Sequence, residues 1–485
     1  MSANTKDVKF YIHVAMTLLI MFGFGLLPPF GQVTPLGMKL LGIFIGLVYA
    51  WTFTSMIWSS LLAFVAIVWS GAYTIGEFMA VSMGNTTVCF MLFSMILVAS
   101  LTQVGLVDYF GKWFISREFL AGRPWLFTWV FLFACFLLGA LTNGTAATLI
   151  FLSMFFSIAK QVGIKPYSKY ATLMVFGIIF AGMTLGNSAL PYHLAGLLKI
   201  TTIQAAVGYT VSFSKFTIFA FPSGLLVLTM FVIFLKYVLR ADVSALADRE
   251  NISMKDVEFT KAMQVGTLYL ILFVLLLFLP EWIPSETWIG AKMSAYGSVG
   301  AACLILAAML VTKVDGKPFL NFKQAANEGI VWDIIILFAV VLPFSSLLVA
   351  DATGIKATFV AFLKPVLTGH SPVVFLLIAL ALQTFVTNFM NNAVLGVIFT
   401  NVVGPIAVAL GMNPLPVLMT SMFTNQLAYL TPAASTPAAF MFGHSDWARA
   451  QDLVKVMPLI IIFLFIICFC VVLPWGYVVF SNFAV

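Results

Sequence analysis

Long apolar runs separated by short polar or charged stretches recur from one end of the 485-residue chain to the other. At about 1.5 Å of rise per residue, about 20 apolar residues cross a hydrocarbon core of about 30 Å. On that measure the pattern predicts span 1 at about 11–28, span 2 at 37–53, span 3 at 55–71 and span 4 at 86–106. Span 5 follows at 170–198, span 6 at 216–239, span 7 at 262–280, span 8 at 293–312 and span 9 at 334–350. Span 10 is interrupted within 430–437, and span 11 runs over 457–479. Between spans 4 and 5, VDYFGKWFISREFLAGRP interleaves aromatic and leucine positions with Lys112, Arg117 and Arg123, the make-up of a helix lying along a membrane interface. DATGIKATFVAFLKP, after span 9, has the same character.

Two islands of hydroxyl and amide groups sit deep in the apolar pattern, Thr142-Asn143-Gly144-Thr145-Ala146 and Thr387-Asn388-Phe389-Met390-Asn391-Asn392-Ala393. Hydrocarbon offers such groups no partner, so they are satisfied by one another, by backbone, by water or by a ligand. The first lies in a 36-residue stretch without charge between Arg123 and Lys160. The arm Pro124–Leu141 is about 27 Å long and the arm Ala147–Ala159 about 20 Å, so the return arm is too short to cross. A re-entrant hairpin over about 124–160, its Asn143-Gly144 tip inside the membrane, fits these lengths. The plainer alternative is a pair of short helices with a glycine hinge and Asn/Thr as interhelical glue. A second stretch, Pro365 to Ser445, holds 81 residues without Asp, Glu, Lys or Arg, enough for a second hairpin at about 371–411 and the interrupted span 10.

Composition agrees and removes other classes. Charged residues are 8% of the chain, hydrophobic ones 62%, and the mean hydropathy is +1.09. These values exclude an ordinary soluble domain. The fold class expected is an all-α polytopic membrane protein of about 11 transmembrane helices. Its net charge of +7 reads as membrane topology, not nucleic-acid affinity. With the N-terminus cytoplasmic, 18 Lys and Arg fall inside and six outside, the six being Lys39, Lys199, Lys215, Lys292, Lys356 and Lys364. That bias fits a multi-pass plasma membrane protein, a bacterial inner membrane in particular. No cleavage site follows the first apolar run, which is expected to be a retained span. All five cysteines lie in apolar runs, and Cys468-x-Cys470 reads as core packing in preference to a metal site.

The hydrophilic stretch 241–261 divides the chain into an N-terminal tail and span 1 (1–36), a first block of spans 2–6 (37–240), a cytoplasmic linker and a second block of spans 7–11 (262–485). The blocks begin on opposite sides, so the repeats are inverted. Thr142 to Pro191 is 49 positions and Thr387 to Pro437 is 50, the same distance from tip to proline in each block. Gly182 to Pro191 in span 5 and the Thr-Pro pairs of span 10 each predict a broken helix. Breaks at mid-membrane present half-helix N-termini to anions and freed carbonyls to small cations.

Two inverted repeats, hairpins tipped by Asn/Thr clusters, interfacial segments before each hairpin and Thr-Pro breaks resemble the divalent anion:sodium symporter family of the ion transporter superfamily. TPLGMKLLGIFIGLVYAW (34–51) is similar to that family's second span. The family tip signature is Ser-Asn-Thr, where this chain has Asn143-Gly144-Thr145 and Met390-Asn391-Asn392; Thr145 and Asn391 fit it. Thr431-Pro432 and Thr436-Pro437 keep the Thr-Pro element. The resemblance implies an elevator-type homodimer carrying di- or tricarboxylates or sulfate, by Na+ symport or by exchange. Substrate contacts are then expected from Thr142, Asn143, Gly144, Thr145, Asn388, Asn391, Asn392, Pro432 and His193. Na+ contacts are expected from Asn143, Thr184, Gly186, Asn187, Ser188, Asn391, Thr431, Ser435 and Thr436. No cofactor is implied beyond Na+ as coupling ion, and the partners are a small anion, Na+ and the lipid bilayer.

His193 is the one ionisable residue near the first break; it either meets the anion or a coupled proton, or reaches the outer interface. His13, His370 and His444 lie near span ends. Membrane enzymes need paired acids, a metal cluster or a nucleophile with its base. The sequence holds no HExxH and no GxSxG. Within the transport class, an exchanger, a proton-coupled carrier and a channel stay open.

Overall fold

The computed structural model describes the chain except residues 1, 55, 116–119, 121, 247–257, 356, 359–360, 362–370, 390–391, 432–433, 445 and 482–485. Helices account for nearly all of its ordered elements. The one ribbon among the described residues pairs Lys313–Val314 with Lys317–Pro318, and it turns on Asp315 and Gly316. Both turn residues have positive φ, 49° and 79°, the geometry that fits the right-handed twist of a tight hairpin.

The first block opens with α1 (Ser2–Gly23), α2 (Pro35–Phe53), α3 (Met56–Ser70), α4 (Ile75–Val81) and α5 (Thr86–Gln103). It continues with the amphipathic α6 (Leu106–Ile115), then α7 (Pro124–Leu141) and α8 (Gly144–Gln161). Next come α9 (Lys169–Ala189), α10 (Leu194–Val207) and α11 (Phe213–Tyr237). The second block holds α12 (Lys261–Trp282), α13 (Trp288–Val311), α14 (Phe322–Gly329) and α15 (Trp332–Val349). It ends with α16 (Pro372–Val386), α17 (Asn392–Ala409), α18 (Leu415–Thr424), α19 (Thr436–Gly443) and α20 (Ala450–Val479). Among the described residues, nine helices are long and apolar enough to cross a membrane.

Local chemistry sets the starts of these helices. Thr34, Asn85, Ser168, Ser212, Thr260, Thr287 and Ser371 each accept a backbone N–H of the first turn, which satisfies a donor the helix itself cannot. Long side chains on α12, α13 and α20, among them Leu268, Ile271, Leu304, Ile462 and Ile466, point outward and exposed. An apolar outside is what a surface in contact with acyl chains requires. The interior is dense with rings, including fully buried Phe131, Phe136, Phe176 and Phe180.

Three expectations need correction. Span 5 does not end at 198: α9 stops at Ala189, Leu190–His193 turns, and α10 runs on to Val207. Within α9 the stretch Phe180–Gly186 is wound as a π-helix, an i→i+5 register, where an unwound break was expected. The return arm of the first hairpin is longer than its charge-free stretch, because α8 passes through Lys160 to Gln161 and matches α7 at 18 residues each. A lysine stem continues a helix as well as an alanine does, so the charge at Lys160 never marked its end. The break in span 10 is present and begins earlier than expected, at Asn425 after α18, and α19 starts at Thr436. Residues 247–257 of the linker, and 356, 359–360 and 362–365 of the second interfacial segment, lie outside the described residues.

Candidate functional site

The first polar island caps itself. Thr142 closes α7 with its hydroxyl donating to Leu138 O at 2.6 Å. Asn143, exposed, is the N-cap of α8, and its Oδ1 accepts from Thr145 N at 2.9 Å and Ala146 N at 3.0 Å. The next donor, Gly144 N, is taken by Asn187 Oδ1 of α9 at 3.2 Å. Donors that a half-helix N-terminus would offer an anion are thus held by two amide oxygens of the protein.

Glycines allow this tip to press on the π-helical turn. A Cβ on Gly144 would lie 2.4 Å from Gly182 O and 2.5 Å from Asn187 Oδ1. One on Gly182 would lie 2.3 Å from Thr148 Oγ1, and one on Gly186 would lie 3.0 Å from the Gly139 carbonyl carbon. The carbonyls expected to be free are engaged: Met183 O accepts from Asn187 Nδ2 at 2.9 Å and Thr184 O from Ser188 Oγ at 2.8 Å. The register shift of a π-turn releases carbonyls from the ladder, and here side chains one turn on take them.

The second island is built the other way, with its side chains turned onto an unwound neighbour. Asn388, buried, donates from Nδ2 to Thr384 O at 2.9 Å and to Leu427 O at 3.3 Å. Its Oδ1 accepts from Tyr429 N and Leu430 N, both at 3.0 Å, so one amide replaces the helix partners of three residues of the break. Thr387 Oγ1 contacts Asn425 O at 2.6 Å and Asn392 Oδ1 at 3.0 Å. Asn425 Nδ2 donates to Asn392 O at 2.5 Å, and Asn392 Nδ2 reaches Gln426 Oε1 at 3.4 Å. Ser435 caps α19 by accepting from Ala438 N at 3.1 Å and donates to Ala428 O at 2.7 Å, closing the loop. Thr431 O accepts from Ala434 N at 3.1 Å, and Thr436 is the exposed first residue of α19. Asn391 and Pro432 lie outside the described residues.

Polar capacity is left over at the second island only on its inner side. Gln383 is 2% exposed; its Oε1 accepts from Thr424 Oγ1 at 3.1 Å while its Nε2 has no partner. Asn425, next to Thr424, has an unpartnered buried Oδ1. One spare donor and one spare acceptor, both buried, therefore belong to the residue bonded to Thr424 and to the residue that follows it. The two islands are joined through the middle of the molecule. Thr184 of the π-helical turn and Tyr429 of the break hydrogen-bond through their hydroxyls, and Tyr429 N is held by Asn388. Phe176 packs edge-on against Tyr429 at 5.0 Å.

His193 bonds to the end of α7 and to neither island's spare groups. It is buried and donates from Nε2 to Ala140 O at 2.5 Å, while Tyr192 Oη donates to Ala140 O at 3.0 Å. Both residues close the C-terminal end of α7, whose last carbonyls have no helix partner. His13 sits between α1 and α2, its Nδ1 2.7 Å from Tyr49 Oη, and His444 Nδ1 is 2.7 Å from Phe440 O.

Sequence reasoning missed Lys199, counting it among the outer-side charges. It is 4% exposed within α10, its Nζ donating to Thr400 Oγ1 of α17 at 3.0 Å and to Ser421 Oγ of α18 at 2.8 Å. The available signal was a lone lysine inside HLAGLLKITTIQAAV with no acid near it.

An all-α polytopic membrane fold, with two capped polar tips each fastened to an irregular stretch of the following helix, defines the class. Two solved transporter structures share the fold. The YdaH transporter of Alcanivorax borkumensis aligns at TM-score 0.55 with 16% identity over 84% of this chain and 88% of that one. MtrF of Neisseria gonorrhoeae, whose structure is described with a class of antimetabolite efflux pumps, aligns at 0.60 with 15% identity over 86% of both. By sequence the chain belongs to the CitMHS family, described as "Citrate transporter", which it matches over residues 44–395. It is 24% identical over 331 residues to the sodium-dependent dicarboxylate transporter SdcS of Staphylococcus saprophyticus, across 64% of this chain and 62% of that protein. SdcS of Staphylococcus aureus strain USA300 is 23% identical over 327 residues, with the same two coverages. The matched part is thus less than two thirds of these relatives' own length.

Proposed function

We propose that the protein is a secondary active carrier of small carboxylate anions, di- or tricarboxylates, driven by Na+ symport through an elevator motion of a homodimer in the bacterial inner membrane. The observation that carries this reading is the pair of buried, unpartnered groups at the second island, the Gln383 Nε2 donor and the Asn425 Oδ1 acceptor. Buried polar groups without partners cost about 1–3 kcal/mol each, so they persist where a ligand completes them. A donor suits a carboxylate and an acceptor suits a small cation, the pairing symport requires. Names of relatives that pair Na+ with dicarboxylates support the same cargo and coupling.

In this reading 37–240 and 262–485 are inverted repeats. Thr142 and Thr387 are 245 positions apart, and so are Thr184 and Tyr429, which touch. Equivalent positions meet where a pseudo-two-fold axis passes, which supports an axis running between the π-helical turn and the break. Substrate would lie between the islands, with Thr145, Asn388, Asn391, Asn392 and Pro432 around it. Na+ would be held by Thr184, Gly186 and Ser188 in one half and Asn391, Thr431, Ser435 and Thr436 in the other, since the Asn143 and Asn187 amide oxygens are taken by the N–H groups of α8.

The test is a counterflow screen of labelled anions in proteoliposomes, with Na+ or choline at fixed membrane potential. Na+-dependent accumulation of a di- or tricarboxylate is expected. Uptake indifferent to Na+ but requiring an internal anion would make the protein an exchanger, and uptake following the pH gradient would make it proton-coupled.

A further inference from the structure

Lys199 places its amine in the interior with no acid to meet it among the described residues packed on its helix. The elements packed on α10 are α5, α15, α17, α18 and the last turn of α9. Neither α17 nor α18 has an ionisable residue; α5 contributes Cys89, α15 contributes Asp333 in its exposed first turn, and α10 begins beside His193. The one ion pair among the described residues, Lys261 with Asp315, is on the surface. Both hydroxyls that receive the ammonium are themselves aimed away from it. Thr400 Oγ1 donates to Gly396 O at 2.8 Å and Ser421 Oγ to Leu418 O at 2.6 Å, leaving their lone pairs for Nζ. The site is therefore shaped to hold a cation, and a buried cation without a counter-charge is costly enough to require a use.

Its position supplies one. Ser421 is one helical turn before Asn425, and Thr400 is two turns past Asn392. By helical rise the ammonium's partners are about 6 and 12 Å from the second island. At the longer distance and an effective dielectric of about 20, a unit charge changes the affinity for each negative charge of a ligand about tenfold. We propose that Lys199 is a built-in counter-charge for the anionic cargo, a specificity-determining residue that grades affinity by the charge of the anion. The inference rests on the carrier reading above and deepens it. It also supplies positive charge that would otherwise have to come from an additional bound Na+.

The experiment measures dissociation constants of succinate and citrate, and of the monoamide of each, on the purified full-length protein at saturating Na+. Each monoamide keeps the shape of its parent with one negative charge fewer. Lys199→Gln should weaken each parent acid about tenfold more than its monoamide, and Lys199→Arg should keep the wild-type ratio. Ser421→Asp leaves the lysine in place and neutralises it within hydrogen-bonding distance. It should give the same graded loss even if Lys199→Gln does not fold. Equal losses for acid and monoamide, or no loss, would overturn the proposal while leaving the carrier reading intact. A wild-type protein that binds none of the four ligands overturns both.

Discussion

The two polar islands use the same residue types to opposite ends. At the first, Asn143 and Asn187 spend their oxygens on the three leading N–H groups of α8, and glycines bring Gly144 into contact with Gly182. At the second, Asn388 spends itself on residues 427–430 of an unwound stretch, and Gln383 and Asn425 keep one group each in reserve. The first is a closed joint fixed by backbone contact. The second is a scaffold of amides around backbone that has no helix to return to. A likeness of motif thus conceals a division of work, one half providing a rigid abutment and the other the adaptable chemistry.

The sharpest way to break this comparison is to add one methyl group to each joint. Gly144→Ala forces a Cβ to 2.4 Å from a backbone oxygen, whereas on Gly396 the nearest atom, Asn425 Nδ2, would be 3.1 Å away. Gly144→Ala should cost at least about 3 kcal/mol and remove most of the folded protein, and Gly396→Ala should cost under about 1 kcal/mol. Size-exclusion profiles and melting in detergent decide it, and equal losses would erase the distinction between joint and scaffold.

Removing the central amide from each island should separate them next. Asn388→Ala orphans carbonyl and N–H groups along the break, for about 2–3 kcal/mol and complete loss of uptake. Asn143→Ala removes an exposed helix cap, for about 1 kcal/mol, and leaves measurable uptake. A milder change sharpens the picture further. Gln383→Met combined with Thr424→Val replaces both ends of one buried hydrogen bond by apolar groups. It should change the stability by less than about 1 kcal/mol while uptake falls more than tenfold. Unaltered uptake in that variant would show that the spare Nε2 serves no ligand.

The helices, the two islands and the breaks were legible because an amide in an apolar run has few ways to be satisfied. What was not legible turned on contacts or on single-residue register. The π-turn at Phe180–Gly186 differs from an α-helix by one residue per hydrogen bond, and its glycines read equally well as a broken helix. The reach of α8 was misjudged because Lys160 was used as a boundary. Lys199 was taken for a loop charge because its partners Thr400 and Ser421 are 201 and 222 positions away. His193 was legible as unusual, yet its role in closing α7 depends on Ala140, 53 positions earlier.

A quieter feature bears on how the chain is made. The turn that leads into α2 is clasped by the segment after α15: Gln32 N donates to Thr358 Oγ1 at 2.8 Å, Thr34 N to Thr353 O at 3.0 Å and Thr34 Oγ1 to Ala352 O at 2.8 Å. Gly354, at φ +66°, lets the strands touch, since a Cβ there would be 1.7 Å from Gln32 O. These partners are separated by more than 300 positions, so during synthesis the entry to α2 waits while thirteen further helices, α3 to α15, emerge. Contacts of such sequence separation form late. α2 thus leaves the ribosome long before it is locked, and the newborn first block is held as a provisional structure until the second block arrives to fasten it.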